Sequence, residues 1–327
     1  MTSVAVIGAG AWGTVLANIL AKNGHEVTLW CYQQRIADNI CEGRHHRLPG
    51  IELSATIRAT TTMADCYAHD LVILGLSSAQ LVMHQDMIQW AKIQCPILCI
   101  AKGVIEPNWF ISEWLSERFS GDIGVISGPN LAIEVAAQKP AASVVAATSA
   151  HVATMAQQLL SNSFFRVYTS NDMLGVQCGG IFKNVLAIAA GCIDGLQLGV
   201  NAKSALITRG LVEMQQLFQF FGAKNETLMG LSGIGDLIAT CVSPTSRNWQ
   251  LGHDLVTAPN DTPMISKQRG ETEGARTIEL IEPVILSEGF DLPIMMAVSK
   301  LIKRQWDTPE DIIKDLMERG LKSEYSH

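Results

Sequence analysis

From residue 3 to about 168, short apolar runs rich in β-branched residues alternate with stretches of helical period. The runs are Val4 to Ile7, Glu26 to Trp30, Leu71 to Leu74, Ile97 to Ile100, Ile123 to Ile126, Ser143 to Ala147 and Phe164 to Tyr168. Nearly every position in them is apolar, the pattern of strands covered on both faces. Amphipathic segments such as Ala11 to Asn23 and Gln80 to Ala91 lie between them. Strand and helix in alternation predict a parallel sheet with helices on both sides, a doubly wound Rossmann-type α/β domain over residues 1–170.

Beyond about residue 170 the strand signal stops, and helical periodicity predicts an all-helical domain over 171–327. Its helices are read as Asp172 to Leu196, Ala202 to Phe221, Arg247 to Leu255, Ala275 to Glu288, Ile294 to Trp306 and Glu310 to Arg319. Gly179, Gly180, Gly191 and Gly195 fall inside the first of these, where each costs about 1 kcal/mol relative to alanine. Close approach of another backbone is the expected reason for them. Pro259 and Pro263, with Asn260 and Asp261, predict a loop between helices.

A chain of 327 residues suits two such domains. With 48% hydrophobic and 17% charged residues it is not a disordered chain. Its net charge of −7 gives no overall positive field for nucleic acid or an anionic membrane, so an anionic ligand must meet locally placed cations. The eight cysteines form no CxxC pair and mostly lie in apolar segments, which reads as buried thiols in a reducing compartment. Cys41, His45 and His46 have no fourth candidate ligand nearby; they read as loop, and no metal is assigned. The first strand follows the initiating methionine without a leader pattern, and no apolar run reaches about 18 residues, so a cytoplasmic protein without membrane insertion is expected.

Gly8-Ala9-Gly10-Ala11-Trp12-Gly13 fits G-x-G-x-x-G between a strand and a helix, with a second strand following. Gly8, Gly10 and Gly13 then supply a tight turn, backbone approach to a pyrophosphate and helix–strand packing. The amino terminus of the helix from Ala11 faces the diphosphate. After the second strand, at Cys31-Tyr32-Gln33-Gln34-Arg35, no carboxylate appears before Asp38 to accept from a ribose 2′-hydroxyl. Arg35 instead suits a 2′-phosphate, predicting NADP with NAD also accepted.

Three further segments carry candidate chemistry. Ala101-Lys102-Gly103 follows the strand Ile97 to Ile100, on the carboxyl edge where open parallel sheets bind ligands. Lys183 sits in a glycine-rich apolar helix, where burial lowers an ammonium pKa toward that of a proton donor. In Gly230 to Cys241, three glycines in six residues precede Asp236, which can orient an ammonium. Ser246 reads as a helix N-cap, and Arg247 and Asn248 offer a guanidinium, an amide and free N–H groups to a phosphate.

These blocks, with Ser127-Gly128-Pro129-Asn130, Phe182-Lys183-Asn184-Val185, Thr208-Arg209-Gly210 and Thr240-Cys241, resemble NAD(P)-dependent glycerol-3-phosphate dehydrogenases of the bacterial type over nearly the whole chain. The resemblance implies reversible reduction of dihydroxyacetone phosphate to sn-glycerol 3-phosphate, which supplies glycerophospholipid synthesis. It places proton transfer on Lys183 and substrate contacts on Lys102, Gly128, Asn130, Asp236, Ser246, Arg247 and Asn248. It places cofactor contacts near Trp12, Tyr32, Lys102, Ala132, Arg247 and Glu273, and implies a homodimer. Ala101, Asn130, Leu76 and Glu271 depart from its usual residues. The residues alone leave open another β-hydroxyacid dehydrogenase, or a non-catalytic NADPH-binding sensor.

Overall fold

The computed structural model describes residues 1–107, 109–258, 272–306, 308–321 and 323–324. Glu271 and the Pro259, Asn260, Asp261 and Pro263 loop lie outside them. The first half runs β1 (Ser3–Ile7), α1 (Ala11–Lys22), β2 (Glu26–Trp30), α2 (Gln34–Cys41), β3 (Ile57–Thr60), β4 (Leu71–Leu74), α3 (Ser78–Met83) and β5 (Ile97–Cys99). A small hairpin, β6 (Val104–Glu106) and β7 (Trp109–Phe110), comes next. Then follow α4 (Ile111–Ser116), β8 (Ile123–Ser127), α5 (Ala132–Ala136), β9 (Ala141–Ala147), α6 (Ala150–Leu160) and β10 (Phe165–Ser170).

Eight strands form one sheet in the order β10-β9-β8-β5-β4-β1-β2-β3. Each apolar run read from the sequence is one of its strands. The sheet is not wholly parallel, because β9 pairs antiparallel with β8, in the register Gly124↔Ala147 to Ser127↔Val144. The connection through the five-residue α5 does not cross the length of the sheet, so the chain returns beside the strand it left. An apolar run reports burial on two faces and carries no direction. The edge strand β3 escaped the reading because, of Ile57-Arg58-Ala59-Thr60, only Ile57 is buried. The helix expected over Gln80 to Ala91 is also shorter. Ser77 and Gln80 form a capping box for the six-residue α3, and 3₁₀ turns at Gln85–Met87 and Trp90–Lys92 replace the rest. Met83 and Met87, apolar residues of that segment, are exposed.

The helical half comprises α7 (Met173–Gly195), α8 (Gly199–Phe220), α9 (Asn225–Leu228), a wide π-type turn at Leu231–Gly235, α10 (Asp236–Val242), α11 (Arg247–Thr257), α12 (Glu273–Glu288), α13 (Pro293–Ile302) and α14 (Pro309–Met317). Helix α7 is the axis of this half. It has the length and a mean hydropathy, 1.5, of a membrane span, which corrects the expectation of no such run. That window is wholly buried inside the protein, so the helix is core. A Cβ on Gly191 would lie 1.9 Å from the Trp249 carbonyl, and one on Gly252 1.8 Å from the Ile188 carbonyl, so α7 and α11 meet backbone to backbone. Gly179 likewise faces the Ser232 carbonyl, whereas Gly180 and Gly195 chiefly make room for side chains, Ser127 and Val256.

Candidate active site

The sheet order reverses between β1 and β4, and the glycine loop leaves β1 at that switch point. Gly8 has φ 120°, and a Cβ there would lie 2.8 Å from the Gly75 carbonyl carbon, at the end of β4. Gly13 sits under the same turn, where a Cβ would meet the Gly8 carbonyl oxygen at 2.4 Å. Gly10 differs: it is the N-cap of α1, and a Cβ there would meet nothing closer than 3.8 Å. No side chain caps α1, so the N–H groups of its first turn, from Ala11, Trp12 and Gly13, have no capping partner within the helix. This cradle fits a dinucleotide pyrophosphate. Trp12 packs edge-on against Phe165 at 5.9 Å. At the end of β2, Tyr32 and Arg35 are both exposed, Tyr32 lying against the His84 ring at 5.0 Å.

The carboxyl ends of β5 and β8 present the next groups. Lys102, past β5, donates from Nζ to the Gly128 carbonyl at 3.1 Å and to Asp236 Oδ2 at 2.7 Å. From α7, Lys183 donates to Asp236 Oδ1 at 2.8 Å and to Thr240 Oγ1 at 2.6 Å. One carboxylate, 2% exposed, thus holds an ammonium from each half of the chain. Burial pulls the Lys183 ammonium down to about 8, against the opposing pull of Asp236, and the Lys102 charge lowers it further. An amine held near neutrality beside a second cation can give or take a proton on a carbonyl oxygen.

Around this pair the structure ties the two halves together. Asn184 donates to the Lys102 carbonyl at 3.3 Å and accepts from Asn248 at 2.9 Å, and Asn248 accepts from the Gly274 N–H at 3.1 Å. Ser246 caps α11 by accepting from Trp249 N at 3.3 Å, and Arg247 next to it is exposed. Gly128 takes φ 149°, and Asn130 donates to Ser143 Oγ. Asn130 Oδ1 and Ser127 Oγ are buried without a hydrogen-bond partner among the described residues, leaving both free to bind a ligand. Ala132 opens α5, and Glu273 opens α12 beside Gly103.

The sequence reading gave no role to Thr240 or Asn184. Thr240 stands four residues after Asp236, one helical turn, which was a usable signal. His45 is buried, and its Nε2 donates to the Ala9 carbonyl at 3.0 Å, so the segment read as plain loop grips the glycine turn.

The profile of the NAD-dependent glycerol-3-phosphate dehydrogenase N-terminus matches residues 3–153, and that of its C-terminus residues 172–314. The chain belongs to this family. The glycerol-3-phosphate dehydrogenase (NAD(P)+) of Synechococcus elongatus is 38% identical over 325 residues, covering 98% of this chain and 97% of that protein. Its counterpart from Oceanobacillus iheyensis is also 38% identical, over 99% of this chain and 96% of the relative. Among solved structures, glycerol-3-phosphate dehydrogenase from Coxiella burnetii superposes with a TM-score of 0.88 at 32% identity, over 97% of this chain and 99% of that one. Thus the Rossmann-type half followed by helices, and membership among the NAD(P)-dependent dehydrogenases, stand together. A ketopantoate reductase from Ralstonia eutropha, at TM-score 0.64 and 14% identity, shares the fold alone.

Proposed function

We propose that this chain reversibly reduces dihydroxyacetone phosphate to sn-glycerol 3-phosphate with NAD(P)H, supplying glycerophospholipid synthesis. The observation that carries this reading is one buried carboxylate, that of Asp236, paired with both Lys102 and Lys183. Residues 1–170 hold the dinucleotide through Gly8, Gly10, Ala11, Trp12, Gly13, Tyr32, Arg35 and Ala132, with Lys102, Arg247 and Glu273 closing on it. Residues 171–327 carry the proton donor. A bound nicotinamide supplies the hydride that forms the new C–H bond as the carbonyl π bond breaks. Lys183 gives its proton to the oxygen in reduction and recovers it in oxidation, so charge balances. Lys102 adds positive potential at that oxygen, and Asp236 fixes both amines. The phosphate is met by Arg247, Asn248 and the start of α11, where cations and free N–H groups coincide. Gly128, Asn130 and Ser246 complete the substrate contacts.

The absence of a carboxylate after β2 supports NADP as the preferred cofactor, with NAD accepted. We also propose a cytoplasmic homodimer, on the family resemblance. The deciding experiment follows NADPH and NADH oxidation in parallel with dihydroxyacetone phosphate and with 2-keto acids. Turnover confined to the phosphorylated ketone is expected; turnover confined to a keto acid, or none at all, would overturn the reading. Light scattering in solution tests the dimer.

A further inference from the structure

Arg247, at the first position of α11, is exposed and has no hydrogen-bond or ion-pair partner among the described residues. Its aim is therefore the aim of the first turn of that helix. Two neighbouring side chains tie this turn to α7. Asn248 donates to Asn184 Oδ1 at 2.9 Å, and Trp249 donates from Nε1 to Asp194 Oδ2 at 2.7 Å, ten residues and about 15 Å further along the same helix. One tether lets the turn pivot; two that far apart fix it. The contact of Gly191 with the Trp249 carbonyl sets how near the helices lie, whereas the directional bonds set how the turn is rotated.

Asp194 is oddly placed for a residue that only builds α7. It lies in the last turn, at the negative end of the helix dipole, where a carboxylate is unfavourable. The Lys203 ammonium of α8 offsets that cost by pairing with the same Oδ2 that receives the indole N–H. An indole is a donor only, and this half-buried one spends its single N–H on a charged acceptor. Its ring stacks on His253, one turn further along α11, at 5.1 Å and 22°. Three helices thus meet at one carboxylate, two residues beyond Arg247 and away from the Lys183–Asp236 pair.

Resting on the phosphate assignment above, we propose that Trp249, Asp194 and Lys203 are positioning residues that fix the start of α11 and thereby set the grip of Arg247 on the substrate phosphate. None of the three touches the substrate. A guanidinium holds a phosphate best through paired, well-aligned N–H groups, so a small rotation of its helix costs affinity while the proton transfer at Lys183 proceeds as before.

The test measures steady-state rates with dihydroxyacetone phosphate at saturating NADPH, and calorimetric titration of the NADPH-bound protein with inorganic phosphate. Trp249→Phe keeps the ring against His253 and removes only the N–H. It is expected to raise KM, and to weaken inorganic phosphate, by roughly tenfold while kcat stays within about twofold. Asp194→Ala should act alike, and Asp194→Asn, which keeps an oxygen for the indole, should recover most of the loss. In an Arg247→Ala background, Trp249→Phe should have no further effect on KM or on phosphate affinity, because the group it aims is gone. Wild-type KM and phosphate affinity in Trp249→Phe, a fall in kcat as large as the rise in KM, or a full effect persisting without Arg247 would each overturn the proposal. A wild type that turns over no dihydroxyacetone phosphate removes the substrate reading, and the inorganic phosphate titration then decides the positioning role by itself: weakening in Trp249→Phe upholds it, and unchanged or absent binding overturns it.

Discussion

Lys183 is buried at 5% exposure, yet its ammonium is not isolated: Asp236 and Thr240 accept from it, and only partly offset the cost of taking it out of water. On the proposed role, Lys183→Ala should lower kcat by roughly 10²- to 10⁴-fold while the Kd for NADPH stays at the wild-type value. Steady-state rates alongside a cofactor titration check this, and a large loss of cofactor affinity would mean that the residue supports the fold instead. The pH dependence follows from the same value. Reduction needs the protonated amine, so its kcat/KM should fall as pH rises through about 8, and oxidation, which needs the neutral amine, should rise through the same range. Profiles in the two directions that move in parallel would contradict an acid–base role.

Two packing decisions dominate at the scale of elements. The α7 and α11 backbones touch at Gly191 and Gly252. Gly252→Ala would force a methyl into the Ile188 carbonyl, and should cost at least the roughly 1–3 kcal/mol of an overpacked core, read as a lowered Tm. The second is the joint between α8 and α13, where Glu213 accepts from the Ile294 and Met295 N–H groups at 2.7 and 2.9 Å. Burial pushes its carboxyl up to about 7 despite those two bonds and Arg319, with Asp291 adding to the rise. Because the folded value lies above the unfolded one of 4.5, this group's stabilisation is complete below pH 4.5 and is lost as pH rises through about 7. The wild type should therefore lose thermal stability between pH 5 and 8, and Glu213→Gln should show a smaller loss over that interval. Equal slopes would remove Glu213 from the pH response. Neither joint was visible in the pattern of apolar positions, which marks a buried face and not its partner. The interior glycines announced a close contact without naming the helix across it.

Across the whole molecule, the two halves are joined by polar links that include Lys102 to Asp236, Asn184 to the Lys102 carbonyl, Gln177 to Ser112 and Arg276 to the Ile105 carbonyl. A ligand held by both halves should stabilise their docking. Saturating NADPH, at about 100 times its Kd, is worth about 2.7 kcal/mol through mass action and should raise the Tm measurably. No shift under those conditions would argue against a preformed dinucleotide cradle.

The linear chain by itself determined the alternating strand-and-helix first half, the helical second half and the strand runs of the main sheet except its edge. Two-sided burial and helical period are local patterns, and a glycine turn between a strand and a helix is a local device. Tertiary structure decided what locality cannot. It ran β9 backward, because α5 is too short to cross the sheet. It joined Lys102, Lys183 and Asp236, separated by up to 134 residues, into one buried ion cluster. It also turned His45 from a loop residue into the anchor of the glycine turn. Contacts between distant segments depend on how the core closes, and only the folded chain brings those groups within hydrogen-bond reach.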